Sequence, residues 1–106
     1  MTTEKRPVKI DNLLSKIKEC INNGKYILTK HALDRQNERS INLTETLYVL
    51  KNGYEDKRKT CFDREKDTWK YAIKGKTLID KLDARVIIAF DENSMLIITV
   101  MLIGDL

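Results

Sequence analysis

At 106 residues the chain has room for one hydrophobic core and little more. An apolar fraction of 42%, one proline and four glycines mark a globular sequence and exclude disordered and collagen-like classes. With 34% charged residues and a net charge of +4 the surface is dense in charge and mildly basic, which suits an acidic partner without naming one.

Cys20 and Cys61 lie far apart, and with a single histidine no zinc site of the CxxC kind can be assembled. Neither a metal nor a cofactor is expected, and the two thiols read as reduced, small and of the buried type. Met1 to Pro7 contains no apolar core of signal-peptide length. The longest apolar run, Met95 to Ile103 with Thr99 inside it, is less than half a membrane helix. A cytoplasmic protein with no membrane partner is the expectation.

Residues 1–9 read as a polar lead-in. Apolar residues at 10, 13, 14, 17, 20 and 21 then keep a helical period, with Asp11 or Asn12 as cap and Asn22-Asn23-Gly24 as stop. Tyr26-Ile27-Leu28 reads as a short apolar link. Thr29 is a good N-cap for a second helix running to about Arg39. A third helix follows Thr44 and stops at Lys51-Asn52-Gly53, with Leu43, Leu47 and Leu50 on its buried face.

From Tyr54 the period changes. Tyr54 to Phe62 and Thr68 to Ile73 alternate imperfectly around the polar turn 63–67. Ala84 to Phe90 and Met95 to Leu102 are β-rich runs joined by Asp91-Glu92-Asn93-Ser94, and their apolar character suggests central strands. The expected fold is α+β in one domain, 1–106. Two to three N-terminal helices (10–53) pack on a C-terminal antiparallel sheet of about four strands (54–106).

Two constellations carry potential chemistry. On a helix, His31, Arg35 and Arg39 stack at i, i+4 and i+8 into a cationic stripe. Histidine suits proton transfer because its ordinary pKa is about 6.5, and the arginine fork binds two phosphate oxygens at once. The plainer reading is a solvated helix face whose arginines pair with Asp34 or Glu38. The second constellation runs from Lys51 to Lys76, where nine basic residues face five acidic ones. Lys57, Lys59, Arg64, Lys70 and Lys74 are interleaved with Trp69 and Tyr71, a pattern suited to RNA phosphates and unstacked bases. Its plainer reading is a solvated hairpin whose lysines discourage edge pairing. Asp63, Glu65 and Asp67 offer a weaker alternative, a metal-dependent nuclease.

Lys30-His31-Ala32, Arg35, Glu38-Arg39 and Ile41, then Val49-Leu50-Lys51-Asn52-Gly53 and Trp69-Lys70-Tyr71, resemble a family of small RelE-superfamily proteins over roughly residues 26–102. A more distant similarity is to the MqsR-type toxins, through Glu4 to Pro7, the first helix stop and the Trp-bearing strand. The resemblance implies a RelE-like sheet with helices on one side, and metal-free mRNA cleavage by a toxin paired with an antitoxin. The MqsR lysine, glutamine and tyrosine would fall at Lys57 or Lys59, at Lys70 and near Arg85, so two of the three are replaced by cations.

The expected activity is therefore a metal-independent endoribonuclease of a toxin–antitoxin module. His31, Arg35, Arg39, Lys57, Lys70 and Arg85 are its candidate catalytic residues. Lys59, Arg64, Trp69, Tyr71 and Lys74 are its RNA contacts. His31 or a lysine would deprotonate the 2′-hydroxyl, arginines would hold the phosphate, and Tyr71 or a second cation would assist the leaving oxygen. Expected partners are RNA, free or on the ribosome, and a cognate antitoxin, with a homodimer as an open alternative. The rival reading is a non-catalytic RNA-binding or protein-interaction module on the same scaffold.

Overall fold

The computed structural model describes residues 6–38, 41–92 and 94–103. Arg39, the last member of the cationic stripe, lies outside the described residues.

Helix α1 (Leu13–Asn22) begins three residues after Ile10 and buries Leu13, Ile17 and Cys20 at helical spacing. Asn12 occupies its N-cap without a side-chain cap bond. Gly24, at φ +67°, reverses the chain. Tyr26–Leu28, expected as a link, is instead strand β1, and it pairs in parallel with Met95–Ile97 at the far end of the sequence. A strand of three residues has no period to read, and its partner is too remote for local patterning to reveal.

Helix α2 (Lys30–Glu38) starts as its cap residue predicts. The Thr29 hydroxyl accepts from the Ala32 amide at 3.1 Å and donates to the Ile98 carbonyl at 3.0 Å. Helix α3 (Leu43–Asn52) is capped by Asn42, which accepts from the Glu45 amide, rather than starting after Thr44. Its fully buried residues are Thr46, Val49 and Leu50. Thr46 Oγ1 donates to Gln36 Oε1 at 2.7 Å, a buried bond that ties α3 to α2.

The expected strand over 54–62 is two short ones, β2 (Tyr54–Glu55) and β3 (Cys61–Asp63), both against β4 (Thr68–Lys76). Thr60 causes the break: its hydroxyl donates to Glu55 and accepts from the Ala72 amide, replacing a ladder bond with a side-chain one. Strands β5 (Asp83–Phe90) and β6 (Met95–Leu102) complete a six-stranded mixed sheet, order β1-β6-β5-β4-β2, with β3 also on β4. The α+β class stands; the sheet has more strands than expected and one parallel pair.

Period-two alternation sorts the sheet into two faces. Tyr71, Ile73, Val86, Ile88 and Ile97 join the core under α1 and α3. Lys70, Ala72 and Lys74 of β4, and Arg85, Ile87 and Ala89 of β5, alternate with them and so face the other way. Strand β6 lies inside the sheet with Met95, Ile97 and Val100 buried, which accounts for its apolar run without a second copy of the chain. Between Ile87 and Ile88 the register shifts, leaving Ile98 without a partner on β5. Ile98 is the residue whose carbonyl holds Thr29. Among the described residues no helix is long and apolar enough to cross a membrane.

Candidate functional site: a cleft between helix and sheet

The β6 irregularity and the Thr29 cap fix the start of α2 against the sheet, and beside that junction opens a cleft of about 660 Å³. Thr29 and His31 form one wall. Ala89, Phe90, Leu96 and Ile98 supply an apolar lining, and Thr68 and Lys70 of β4 stand across from the helix. The β3–β4 turn contributes Lys66 and Asp67, and the β5–β6 turn contributes Asp91 and Glu92.

His31 Nε2 lies 3.5 Å from Arg35 Nε, a long contact at the limit of a hydrogen bond. Arg35 in turn pairs with Glu38 at 3.0 Å. Lys70 is held by Asp63 Oδ2 at 3.3 Å, while Asp63 Oδ1 accepts from the amides of Glu65 and Lys66. Desolvation works to raise the Asp63 carboxyl. The Lys70 hydrogen bond, the two amides and the Lys70 charge outweigh it and hold the group below the ordinary aspartate value. Lys70 is thereby fixed in place before any ligand arrives. The expected acidic cluster has a structural role instead: Asp63 organises the turn and Lys70, and no group of three His, Cys, Asp or Glu among the described residues could hold a metal ion.

Residues 28–102 match the family model described as Domain of unknown function (DUF4258). The chain belongs to the DUF4258 family. The match runs from the end of β1 to the end of β6, so both walls of the cleft fall inside the DUF4258 domain. No curated protein and no solved structure matches the chain.

The DUF4258 sheet brings only part of the expected constellation together. His31 and Lys70 share the cleft; Arg35 touches His31 without lining it. Arg85 stands on the same face but outside the cleft, 16% exposed, with Nη2 3.4 Å from Asp56 and Nη1 donating to Met101 Sδ. Its Nε is buried without a hydrogen-bond partner. Lys74 is its neighbour in register on β4. Lys57 and Lys59 are exposed on the loop between β2 and β3, and Arg64 is exposed on the β3–β4 turn.

The expected interleaving of lysines with aromatic rings on one surface is corrected by strand parity. Lys70 and Lys74 point one way, Trp69 and Tyr71 the other. Tyr71 is 3% exposed, and its hydroxyl accepts from the Ile10 amide. Its ring belongs to the core and presents no stacking face. Trp69 is covered by the incoming chain: its indole N–H donates to Pro7 O at 2.7 Å, and Arg6 and Lys9 lie over the ring at 5.8 and 5.1 Å.

Both cysteines are free, as read, but only Cys20 is buried; Cys61 is exposed. Burial pushes the Cys20 thiol up, against the opposing charges of Lys16 and Lys25.

Lys66, Ala89, Phe90, Glu92, Leu96 and Ile98 also line the cleft and were not among the expected site residues; Asp67 was expected only within an acidic metal cluster. Thr29 carried the one usable signal, as a cap placed two residues before the histidine.

Proposed function

We propose that this chain is a RelE-like, metal-independent endoribonuclease, the toxin of a toxin–antitoxin module acting in the cytoplasm. The observation that carries the reading is the meeting of His31 with Lys70 and Lys66 around one cleft, although they come from opposite halves of the sequence. The Lys-His-Ala…Arg…Glu-Arg resemblance runs through the same wall and supports it.

Cleavage of RNA by its own 2′-oxygen needs a base for the 2′-hydroxyl proton, cations for the phosphorane charge and an acid for the 5′-oxygen. His31 serves as base through Nε2, where the 2′-hydroxyl takes the place of the long Arg35 contact. Lys70, held by Asp63, stabilises the phosphorane. Lys66 lies within the same cleft to protonate the leaving oxygen. The products are a 2′,3′-cyclic phosphate and a 5′-hydroxyl. Tyr71 and Arg85, given roles on sequence grounds, take no part because neither lines the cleft.

A non-catalytic RNA-binding module is favoured by one observation: Arg35 and Lys70 are both already ion-paired. Purified protein incubated with single-stranded RNA, alone and on ribosomes, separates the two. The nuclease reading expects cyclic-phosphate ends that disappear in His31→Ala while RNA affinity falls little. Intact RNA in every condition, together with no growth arrest on expression, would overturn it.

A further inference from the structure

We propose that the cleft receives one unstacked nucleobase and selects bases that carry an exocyclic amino group, adenine, cytosine and guanine, over uracil. The inference rests on the reading of the cleft as an RNA site and adds what that site recognises.

A volume of about 660 Å³ lies in the ~300–1,000 Å³ range of small-ligand pockets. It suits a nucleotide and is far too small for a duplex. The lining supplied by Ala89, Leu96 and Ile98 is apolar, and Ala89, 3% exposed, carries only a methyl group. A flat aromatic base gains dispersion and desolvation there, whereas a paired, stacked base has no free face to offer.

The charges around this lining are mixed, with Lys66 beside Asp67 on one turn and the remaining cationic groups nearer α2 and β4. His31 and Lys70 flank the α2 side and β4, where a phosphate would sit. Asp67 and Glu92 come from the two turns, which neighbour each other because β4 and β5 pair antiparallel. Asp91, between them, already accepts from the Ser94 amide at 2.7 Å and shapes its own turn. Ionised carboxylates only accept hydrogen bonds, so a base edge facing them must donate. The 4-amino group of cytosine, the 6-amino group of adenine and the N1–H and 2-amino groups of guanine all do so. Uracil offers the carboxylates one donor, N3–H, and flanks it on both sides with carbonyl oxygens that they repel.

The test is calorimetric titration of the intact protein with the four ribonucleoside 3′-monophosphates at one salt concentration. The CMP, AMP and GMP affinities should exceed that of UMP by about tenfold, the lower end of what one good base contact discriminates. Asp67→Asn with Glu92→Gln should level the four affinities without loss of fold, since Glu92 is exposed and asparagine tolerates the positive φ of position 67. Preference for the amino bases that persists without any RNA cleavage would uphold the base pocket and remove the nuclease reading. Equal affinities in the unmodified protein, or tightest binding of UMP, would overturn the base selection and leave the RNA site standing. No binding of any nucleotide would overturn both.

Discussion

Among the described glycines Gly53 is the least able to accept a side chain. A Cβ there would meet the Lys74 carbonyl oxygen and stand 2.6 Å from the Val49 carbonyl oxygen, both immobile backbone. Across the gap, a Cβ on Gly75 would lie 3.1 Å from the Gly53 Cα. The end of α3, where it runs into β2, and the end of β4 therefore meet backbone to backbone. Gly53→Ala should lower the unfolding free energy by about 2–3 kcal/mol in urea titration. Gly24→Ala, whose Cβ would meet open space and whose only difficulty is a φ of +67°, should cost about 1 kcal/mol. The reverse order would show that the close crossing relaxes.

Asp63 gives the same scale a pH dependence. Its carboxyl is held below the ordinary aspartate value of about 3.9, so its hold on Lys70 is complete above that value. The hold is lost as pH falls through the lower value of the folded state. Nζ resonances of Lys70 should shift in acid, and Asp63→Asn should remove that shift. Residue roles were legible only where they were local. Thr29 as cap and His31 on the helix it starts follow from the sequence. Glu92 and Lys66 do not, because what places them is strand pairing. The separation of Lys70 from Trp69 and Tyr71 was legible in principle, since adjacent strand residues face opposite ways. Composition alone blurred it.

At the scale of elements, α3 works as a clamp. Asn42 caps the Glu45 amide at 2.9 Å, and Glu45 would ordinarily reach back to complete a capping box. It reaches outward instead, accepting from Leu78 at 2.6 Å and Ile79 at 3.5 Å in the β4–β5 connection. Asn42→Ala should cost about 1 kcal/mol, seen as a lower Tm. Glu45→Ala should leave the helix intact and raise hydrogen exchange at Leu78 and Ile79. Unchanged exchange there would mean the loop is held by its own turn. Helix periods were readable because each helix buries one stripe. The split of 54–63 into two strands was hidden because it turns on a single hydroxyl, that of Thr60.

Taken whole, the molecule is closed at one side by residues 6–10, which cross the Phe62–Trp69 pair and end on Tyr71. Trp69 is the sole tryptophan, so its emission reports on that crossing alone. Removing residues 1–9 should red-shift the emission and raise acrylamide quenching. Nucleotide binding in the cleft, which lies off the opposite face of β4, should not change.

The parallel pairing of β1 with β6 has a kinetic meaning. Thr29 and Ile98 are 69 residues apart, and the wall bearing His31 is seated only when they meet. Closing so long a loop costs entropy, so this step is expected late in folding, after the β4–β5 and β5–β6 hairpins. A chain arrested before Ile98 can form α1, α2 and α3 and still have no cleft. Whatever binds there reports that the whole sheet has closed.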